Sequence, residues 1–464
     1  MNINVDIAII GTGTAGMVAY KGVRKHTDSI ALIEGDQYGT TCARVGCMPS
    51  KLLIAAGEAS HDIEKACEFG ISVENKKING KLVMQRIKDE RDRFVSFVKE
   101  GLESFDAKHL YKAKAKFKTS HSLELDNGDL INAKVIIIAV GSRANIPDIF
   151  QNDGKRVINS DDVFYWDDLP SSVAVIGSGI IGLEIGQALS RLGIRTKIFS
   201  RSEVIAGIHD LKIQESAKSI FSEELDLELS SKITEIEETE NQITVKYQNK
   251  DSKTCEDSFE YILVSAGRRS NLDSLEIDKS ELKLDEKFKP NFNPESCQCD
   301  DSHIFLAGDV SGYIPLLHEA ADEGKIAALN AIKYLKQEKL IKHKRRSKIS
   351  IVFSDPQLMN IGDNYNDLKK QKINFETGEV SFNDQGRARV FSVNKGLLRV
   401  YGDKASRKLL GAEMIGPSAE HIAHLLAWSH QSDLTIDELL ARPYYHPTIE
   451  EGLRSALKNL RAKL

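Results

Sequence analysis

The chain has 464 residues, of which 41% are hydrophobic and 28% charged, and a formal net charge of -5. This length is too great for one hydrophobic core and predicts several domains. The mild acidity argues against nucleic acid or an anionic membrane as a partner, and no apolar run approaches the length of a membrane span. We expect a cytoplasmic protein, because the first residues lack the basic leader of a signal peptide.

The first predicted element is an apolar strand, residues 5–10, which leads into three glycines and a helix. Gly11, Gly13 and Gly16 have G-x-G-x-x-G spacing, and the next strand ends in Glu34. Glycines at this spacing let a pyrophosphate approach the helix N-terminus, and the acid can accept hydrogen bonds from a ribose. The strand before the glycines and the helix after them favour a dinucleotide site over a turn that is merely rich in glycine.

Two of the six cysteines come next, in the segment TTCARVGCMPSK. A regular helix would separate Cys42 from Cys47 by about 7.5 Å along its axis, whereas a disulfide needs Cα atoms within about 7 Å. Gly46 predicts irregular backbone at the point where a loop enters a helix, and free N–H groups there stabilise a thiolate. The pair can be a redox disulfide, two buried thiols or half of a zinc site. The spacing of Cys297 and Cys299 is poor for zinc, and their role stays open.

The strand–glycine–helix pattern then returns. Gly177, Gly179 and Gly182 lie between another strand and another helix, which indicates that the dinucleotide fold is duplicated. A late strand in each copy leads to a glycine, Gly141 in the first and Gly267 in the second. Two dinucleotide sites in one chain predict two nucleotides between which electrons pass.

A further strand ends in Gly308–Asp309, where a carboxylate suits a ribityl hydroxyl. We therefore predict an α/β protein in which residues 1–147 and 271–345 form one split Rossmann-like domain and residues 148–270 form the second, inserted one. The basic run KQEKLIKHKRRSK is predicted to be an exposed linker. Alternating segments (ISIVFSD, ARVFSVN and LLRVYGD) with intervening helices predict a third, α+β domain over residues 346–464.

The order of these parts resembles that of one family, the class I pyridine nucleotide–disulfide oxidoreductases. The shared parts are the two glycine-rich strands, the C-x-x-x-x-C pair, the A-G-D strand and H-P-T-x-x-E near the end, and they cover essentially the whole chain. Ser50 and Lys51, after the second cysteine and a proline, are most similar to the dihydrolipoamide dehydrogenases. The resemblance implies FAD, a nicotinamide nucleotide and a homodimer. It also implies a small dithiol or disulfide substrate, or a lipoyl group on a separate protein.

The resemblance assigns roles to the redox residues. Cys42 is similar to the thiol that exchanges with substrate, and Cys47 to the thiol beside the flavin. His446 resembles the acid–base histidine that comes from the other subunit, and Glu451 resembles the carboxylate that orients it. A histidine suits thiol exchange because its ordinary pKa is close to neutral.

Further positions are implied to bind cofactors. Lys51 and Glu184 match family positions that pair beneath the flavin. The expected FAD residues are Gly11, Gly13, Gly16, Glu34, Thr41, Lys51, Gly141, Asp309, Leu317 and His318. The expected nicotinamide residues are Gly177, Gly179, Gly182, Ser200, Arg201 and Gly267. No metal site is expected.

Departures from the family pattern bear on the substrate and the nucleotide. Arg44 stands where the family commonly has Asn, and Tyr444 stands where a first His is usual. In the second dinucleotide unit, Phe199 occupies the place of the ribose-binding acid, and Ser200, Arg201 and Ser202 follow it. A cation with hydroxyls suits a 2′-phosphate, so we expect NADP(H). The expected activity is that of a dihydrolipoamide dehydrogenase. The alternatives are an NADPH-dependent reductase of another low-molecular-weight disulfide and a non-catalytic flavoprotein.

Overall fold

The computed structural model describes residues 1–151 and 154–464. Within them the chain forms 22 strands and 12 α-helices. The strands are β1 Asn2–Ile10, β2 Ile30–Ile33, β3 Leu110–Tyr111, β4 Ala115–Thr119, β5 Ser122–Leu125, β6 Leu130–Ile138, β7 Ser142–Ala144, β8 Val157–Asn159, β9 Ser172–Ile176, β10 Arg195–Phe199, β11 Asp226–Glu228, β12 Lys232–Glu238, β13 Ile243–Gln248, β14 Thr254–Phe259, β15 Tyr261–Val264, β16 Arg268–Ser270, β17 Ile304–Leu306, β18 Ile349–Val352, β19 Gln357–Gly362, β20 Phe375–Ser381, β21 Leu397–Asp403 and β22 Leu409–Gly416. The helices are α1 Thr14–Val23, α2 Thr41–Arg44, α3 Cys47–Lys65, α4 Gly80–Glu103, α5 Ile180–Arg191, α6 Leu211–Phe221, α7 Leu317–Leu335, α8 Tyr365–Lys370, α9 Gly386–Val390, α10 Ala419–Gln431, α11 Ile436–Leu440 and α12 Glu450–Arg461.

The described chain divides into two compact units. The first unit comprises Met1–Pro49, Ile87–Asn145 and Arg268–Arg345, and the second comprises Ser50–Arg86, Ile146–Gly267 and Arg346–Leu464. The predicted domain boundaries after residues 147, 270 and 345 stay predictions. In the described part of the chain, none of the helices combines the length and the apolar character that a membrane crossing requires.

The first unit is built on a seven-stranded sheet in the order β3-β2-β1-β6-β5-β4, with β17 also paired to β6. The strands β1, β2, β3, β6 and β17 run parallel, and the β4–β5 hairpin adds antiparallel strands. Side chains of β1 alternate between the two faces, as the pleat requires. Ile7 and Ile9 pack in the core that α1 and α7 complete, whereas Ala8 and Ile10 pack in the core of the opposite face.

The second unit contains a five-stranded parallel sheet in the order β11-β10-β9-β15-β8. The antiparallel strands β12, β13 and β14 share a hydrophobic core with this sheet. Nearer the C-terminus, the antiparallel order β18-β19-β22-β21-β20 forms another five-stranded sheet, against which α10 and α12 pack. Two sheets that are each centred on parallel strands, called here the two parallel sheets, and a C-terminal α+β segment are therefore present, as the sequence predicts.

The two parallel sheets repeat one local arrangement. The last residue of β1 pairs with the last residue of β2, and the last residue of β9 pairs with the last residue of β10. Gly11 donates its N–H to the carbonyl of Ile33, and Gly177 donates its N–H to the carbonyl of Phe199, both at 2.8 Å. This correspondence confirms the predicted duplication of the dinucleotide fold.

One predicted strand is wrong. The segment ARVFSVN alternates in sequence, but its first residues belong to α9. The side chain of Gln385 caps this helix by accepting the N–H of Ala388 at 2.7 Å. Ala388 is buried, whereas Val390 and Phe391 are exposed, so the alternation does not separate a buried face from an exposed face.

The basic run was predicted to be an exposed linker, and this prediction is only partly correct. Most of its lysines are exposed. Its Arg345, however, has a side chain only 12% exposed, and it pairs with Glu319 and Glu323 of α7. A buried cation needs such counter-charges, because its desolvation is unfavourable.

Candidate active site and cofactor sites

The cysteine pair lies where two helices meet. Cys42 belongs to the short helix α2, and Cys47 is the first residue of α3. A Cβ added to Gly46 would lie 3.2 Å from the Cα of Cys42 and 3.0 Å from the carbonyl oxygen of Thr41. Glycine at this position therefore lets the chain fold back on itself between the two cysteines, which is the irregular backbone that the sequence predicts.

An ion pair joins α3 to α5. The Nζ of Lys51 lies 2.8 Å from a carboxylate oxygen of Glu184, whose side chain is 5% exposed. The other oxygen of Glu184 accepts the N–H of Phe353 at 2.8 Å, and the ammonium lies 4.6 Å from the centre of the Phe353 ring. These contacts hold the Lys51 charge in one place. The residues predicted to pair do so, and their role in the reaction stays a prediction.

His446 and Glu451 form a second polar pair, at the start of α12. The Nδ1 of His446 lies 3.0 and 3.1 Å from the two carboxylate oxygens of Glu451, and the N–H of Thr448 donates to the same carboxylate at 3.2 Å. The bond with His446, followed by the bond from Thr448, holds the pKa of Glu451 below its usual range. A carboxylate at Nδ1 favours the tautomer with its proton there, which leaves Nε2 as a base. The His446 side chain is 80% exposed, so this base is accessible.

The glycine turn of the first unit leaves room for a dinucleotide. A Cβ on Gly16 would lie 1.9 Å from the carbonyl oxygen of Gly11, whereas a Cβ on Gly13 would meet nothing within 4 Å. Helix α1 has no side-chain cap at Gly13, so its first N–H groups are available to an anion. The carboxylate of Glu34 accepts the N–H and the hydroxyl of Thr12 at 2.9 and 2.8 Å. These residues fit the adenosine and diphosphate of FAD.

Asp309 is held by residues that sequence reasoning missed. Its carboxylate accepts the hydroxyl of Ser142 at 2.9 Å. Arg268 in turn donates to the hydroxyl and carbonyl oxygens of Ser142, at 2.9 and 2.7 Å. Their positions in the sequence could have identified them, because Ser142 and Arg268 directly follow the predicted cofactor residues Gly141 and Gly267.

The remaining predicted cofactor residues lie at the ends of elements. Thr41 begins α2, and Leu317 and His318 begin α7. Gly141 and Gly267 have φ angles of 67° and 100°, a region that favours glycine, and a Cβ on either would meet nothing within 4 Å.

The residue of the second unit that corresponds to Glu34 of the first is Ser200. The prediction that placed Phe199 at this position is wrong by one residue. Phe199 is the last residue of β10, and it is buried in the core that the sheet shares with β13 and β14. Ser200 follows β10 as Glu34 follows β2. The hydroxyl of Ser178 donates to the hydroxyl of Ser200 at 2.8 Å, just as Thr12 donates to Glu34 in the first unit.

The glycines of the second turn also match those of the first. A Cβ on Gly182 would lie 1.9 Å from the carbonyl oxygen of Gly177, and a Cβ on Gly179 would meet nothing within 4 Å. Beyond Ser200, Arg201 is exposed. The neighbouring acid, Glu203, pairs with Lys218 at 3.0 Å. The loop therefore presents a cation, while the carboxylate of Glu203 has a counter-charge.

Cys297 and Cys299 belong to the protein core. Both are buried, and they lie in the hydrophobic clusters on opposite faces of the first sheet. Burial raises the pKa of both thiols, so neither is a ready thiolate. Side chains on opposite faces do not meet, and the two residues therefore form neither a disulfide nor a zinc pair.

Among the described residues, Asp28, Asp106 and His109 lie close enough together to be considered for a metal ion. Lys108 already forms ion pairs with both aspartates. The ring nitrogens of His109 are engaged by the hydroxyl of Tyr20 and the carbonyl of Asp28. This group is a surface ion-pair cluster with a buried histidine.

Comparison with known proteins agrees with this geometry. The sequence profile of the pyridine nucleotide-disulphide oxidoreductases matches residues 5–324, more than half of the chain. The chain belongs to this family. The profile of the family's dimerisation domain matches residues 349–457 of the oxidoreductase. The family implies FAD and NAD(P) as cofactors, and thus an oxidoreductase enzyme.

Two full-length relatives of the oxidoreductase are dihydrolipoyl dehydrogenases. The dihydrolipoyl dehydrogenases of Bacillus subtilis (strain 168) and Geobacillus stearothermophilus are each 27% identical to it. Both alignments cover 97% of this chain, and they cover 97% and 94% of those proteins. These relatives confirm the predicted reaction class, FAD-dependent dithiol–disulfide oxidoreduction.

Solved structures confirm the predicted fold class. LpdA from Mycobacterium tuberculosis superposes with a TM-score of 0.83 at 20% identity, over 98% of this chain and 100% of that one. The HOCl-induced flavoprotein disulfide reductase RclA from Escherichia coli superposes with a TM-score of 0.81 at 19% identity, over 98% and 99% of the two chains. Two Rossmann-like domains followed by an α+β dimerisation domain are therefore the fold of this oxidoreductase.

Proposed function

We propose that the oxidoreductase takes two electrons from a dihydrolipoyl group through a disulfide between Cys42 and Cys47 and delivers them to a nicotinamide nucleotide. The observation that carries this proposal is the His446–Glu451 pair, with Nδ1 3.0 Å from the carboxylate, because thiol exchange needs an oriented base. The full-length relatives named dihydrolipoyl dehydrogenase support the substrate class.

The exchange chemistry follows from the residues. Nε2 of His446 takes the proton of one substrate thiol, and the resulting thiolate attacks the Sγ of Cys42. The Cys42–Cys47 bond breaks, and Cys47 leaves as a thiolate. The second substrate thiol then attacks the substrate sulfur of the mixed disulfide, and its proton ends on the leaving Cys42 sulfur. The substrate departs as a cyclic disulfide, oxidised by two electrons, and the cysteine pair is reduced by two.

The chain supplies the electrostatics for this step. Glu184 holds the ammonium of Lys51 in place, and Lys51 lies one helical turn after Cys47 on α3. The role proposed for this fixed positive charge is to favour the negative charge of the reduced flavin. When bound, FAD supplies the two-electron carrier between the reduced cysteines and NAD(P). In the first unit, Thr12 and Glu34 would hold its adenosine and Asp309 its ribityl chain.

We further propose a homodimer in the cytoplasm, with each active site shared between subunits. The support for sharing is that His446 lies within residues 349–457, which match the family's dimerisation domain. The support for the compartment is chemical, because an exchanging dithiol pair suits a reducing environment.

The nucleotide we propose is NADP(H). Ser200 stands where Glu34 stands in the first unit, so the acid that would hold a ribose 2′-hydroxyl is absent from that position. Exposed Arg201 follows, and the charge of Glu203 is countered by Lys218. This observation also favours a second candidate function, NADPH-dependent reduction of another low-molecular-weight disulfide.

A steady-state panel separates these functions. Dihydrolipoamide oxidation is measured with NADP+ and NAD+, and glutathione disulfide reduction with NADPH and NADH. The matched control is Cys42→Ser, which lacks the exchanging sulfur and should be inactive in every assay. We expect the highest kcat/KM for dihydrolipoamide with NADP+. Turnover of glutathione disulfide alone would select the second candidate, and turnover of neither substrate would refute the first candidate and exclude glutathione disulfide as the substrate of the second.

A further inference from the structure

The middle of the basic run is bound to the first unit as a strap, defined here as residues 341–345. Asn330 of α7 accepts the N–H of Ile341 and donates to its carbonyl, both at 2.9 Å. The N–H of His343 donates to the carbonyl of Glu295 at 2.9 Å. The strap then ends in Arg345, which lies over the ring of Tyr313 at 5.4 Å. A segment so anchored is part of the first unit.

Arg345 is the counter-charge of two buried carboxylates. One guanidinium nitrogen contacts Glu319 and lies 3.1 Å from Glu323, and the other donates to the carbonyl of Pro294 at 3.2 Å. Glu319 and Glu323 are 2% and 1% exposed. Burial opposes the ionisation of both carboxylates, and Arg345 favours their ionised forms.

Glu323 carries the effect of Arg345 to the turn that precedes α7. One of its oxygens receives Arg345, and the other accepts the N–H of Gly308 at 2.8 Å and the hydroxyl of Ser311 at 3.3 Å. Gly308 has a φ of +84°, and an added Cβ would lie 3.1 Å from the Cβ of Ala15. This position, which only glycine fits without strain, immediately precedes Asp309.

We propose that Arg345 is a positioning residue for FAD, because it holds the Glu323 carboxylate that fixes the Gly308–Asp309 backbone. The inference rests on the proposed role of Asp309 in binding the ribityl chain. The strap and the flavin are then coupled, and the coupling is reciprocal. Loosening the strap weakens flavin binding, and binding of the flavin tightens the strap.

The test compares Arg345→Met with Lys342→Met. Both substitutions remove one positive charge from the strap, but Lys342 is exposed, whereas Arg345 is buried against carboxylates. Apoprotein is titrated with FAD, and the dissociation constant is read from the quenching of flavin fluorescence. Hydrogen bonds to charged groups predict about ten- to hundredfold weaker binding for Arg345→Met. The constant for Lys342→Met should remain close to that of the wild type.

A second pair of measurements separates this inference from the proposed site. Asp309→Ala should also weaken FAD binding. If Asp309→Ala weakens it while Arg345→Met matches Lys342→Met, the positioning role is refuted and the Asp309 site stands. If neither variant weakens it, the Asp309 site falls, and the positioning role falls with it.

If Arg345→Met does not yield folded protein, Arg345→Lys decides. The single ammonium group of lysine cannot bond to two carboxylates and a carbonyl at once, as the guanidinium of Arg345 does. FAD affinity should therefore lie between that of the wild type and that of Arg345→Met. Wild-type affinity in Arg345→Lys would overturn the inference. Hydrogen exchange at the Ile341 and His343 amides supplies a readout that a purely structural role would not move. FAD should slow this exchange in the wild type and do so less in Arg345→Lys. Equal slowing in both proteins would refute the coupling.

Discussion

The substitution Ser200→Glu should turn the oxidoreductase from NADP(H) toward NAD(H). The first unit supplies the template, because Glu34 accepts the N–H and hydroxyl of Thr12 at 2.9 and 2.8 Å. Ser178 occupies the place of Thr12 in the second unit, and its hydroxyl already donates to Ser200 at 2.8 Å. A carboxylate at position 200 would therefore accept the hydroxyl of Ser178, for which it would compete with the carbonyl of Val204 at 2.7 Å.

The expected magnitude combines a gain and a loss. A hydrogen bond from a ribose 2′-hydroxyl to the new carboxylate contributes about 1.5–3 kcal/mol to NAD(H) binding. The new carboxylate would also repel a 2′-phosphate. Because the site is open to solvent, as the exposed Arg201 shows, this repulsion is screened to about 2 kcal/mol. The two effects add to about 3.5–5 kcal/mol. The ratio of kcat/KM for the two nucleotides should then shift by about 10²–10⁴.

The assay is steady-state oxidation of dihydrolipoamide at low ionic strength, with NADP+ and NAD+ varied in turn. The matched control is Ser202→Glu, which adds the same charge two residues further on, without the bond to Ser178. It should weaken NADP(H) binding without improving NAD(H) binding. Equal behaviour of Ser200→Glu and Ser202→Glu would refute the template argument. A wild-type preference for NAD(H) would refute the proposed nucleotide itself.

Three further outcomes are expected. Anaerobic two-electron reduction should produce a long-wavelength charge-transfer band, and Cys47→Ser should abolish it because the thiolate donor is lost; a persisting band would remove Cys47 from that role. Mixed dimers of inactive Cys42→Ser and His446→Ala subunits should recover about a quarter of wild-type activity at random pairing, since each hybrid has one intact site. Exchange without recovery would contradict shared sites. Burial raises the pKa of Glu323 from 4.5 to about 7. Between pH 4.5 and about pH 7, Glu323 is protonated in the folded chain but ionised in the unfolded chain. The free energy of unfolding should therefore fall as the pH rises through this range, by up to about 3 kcal/mol. Glu323→Gln should flatten this part of the dependence of Tm on pH, and an unchanged dependence would refute the assignment to Glu323.

Local patterns predicted the fold well. Strands β1 and β9 are apolar runs that end at a glycine turn, and both the helix that follows and the parallel pairing are encoded within about 30 residues. The same holds for His446 and Glu451, because five residues of chain at a helix start bring them together. Features decided by neighbours in sequence could therefore be predicted.

Features decided by distant neighbours could not. A run of lysines and arginines predicts an exposed segment, and nothing in its composition indicates that Arg345 meets Glu319 and Glu323 of α7. The position of Ser200 was missed because an apolar run does not show where a strand ends. Phe199 prolongs β10 because its ring fills a core that β13 and β14 complete.

The repeated register of the two parallel sheets has an evolutionary consequence. The residue that distinguishes the two nucleotide sites comes one position after the last paired residue of its strand, Glu34 after β2 and Ser200 after β10. A mutation at that position leaves the strand pairing intact. Cofactor preference can therefore drift in one copy of the duplicated fold while selection for stability preserves both sheets.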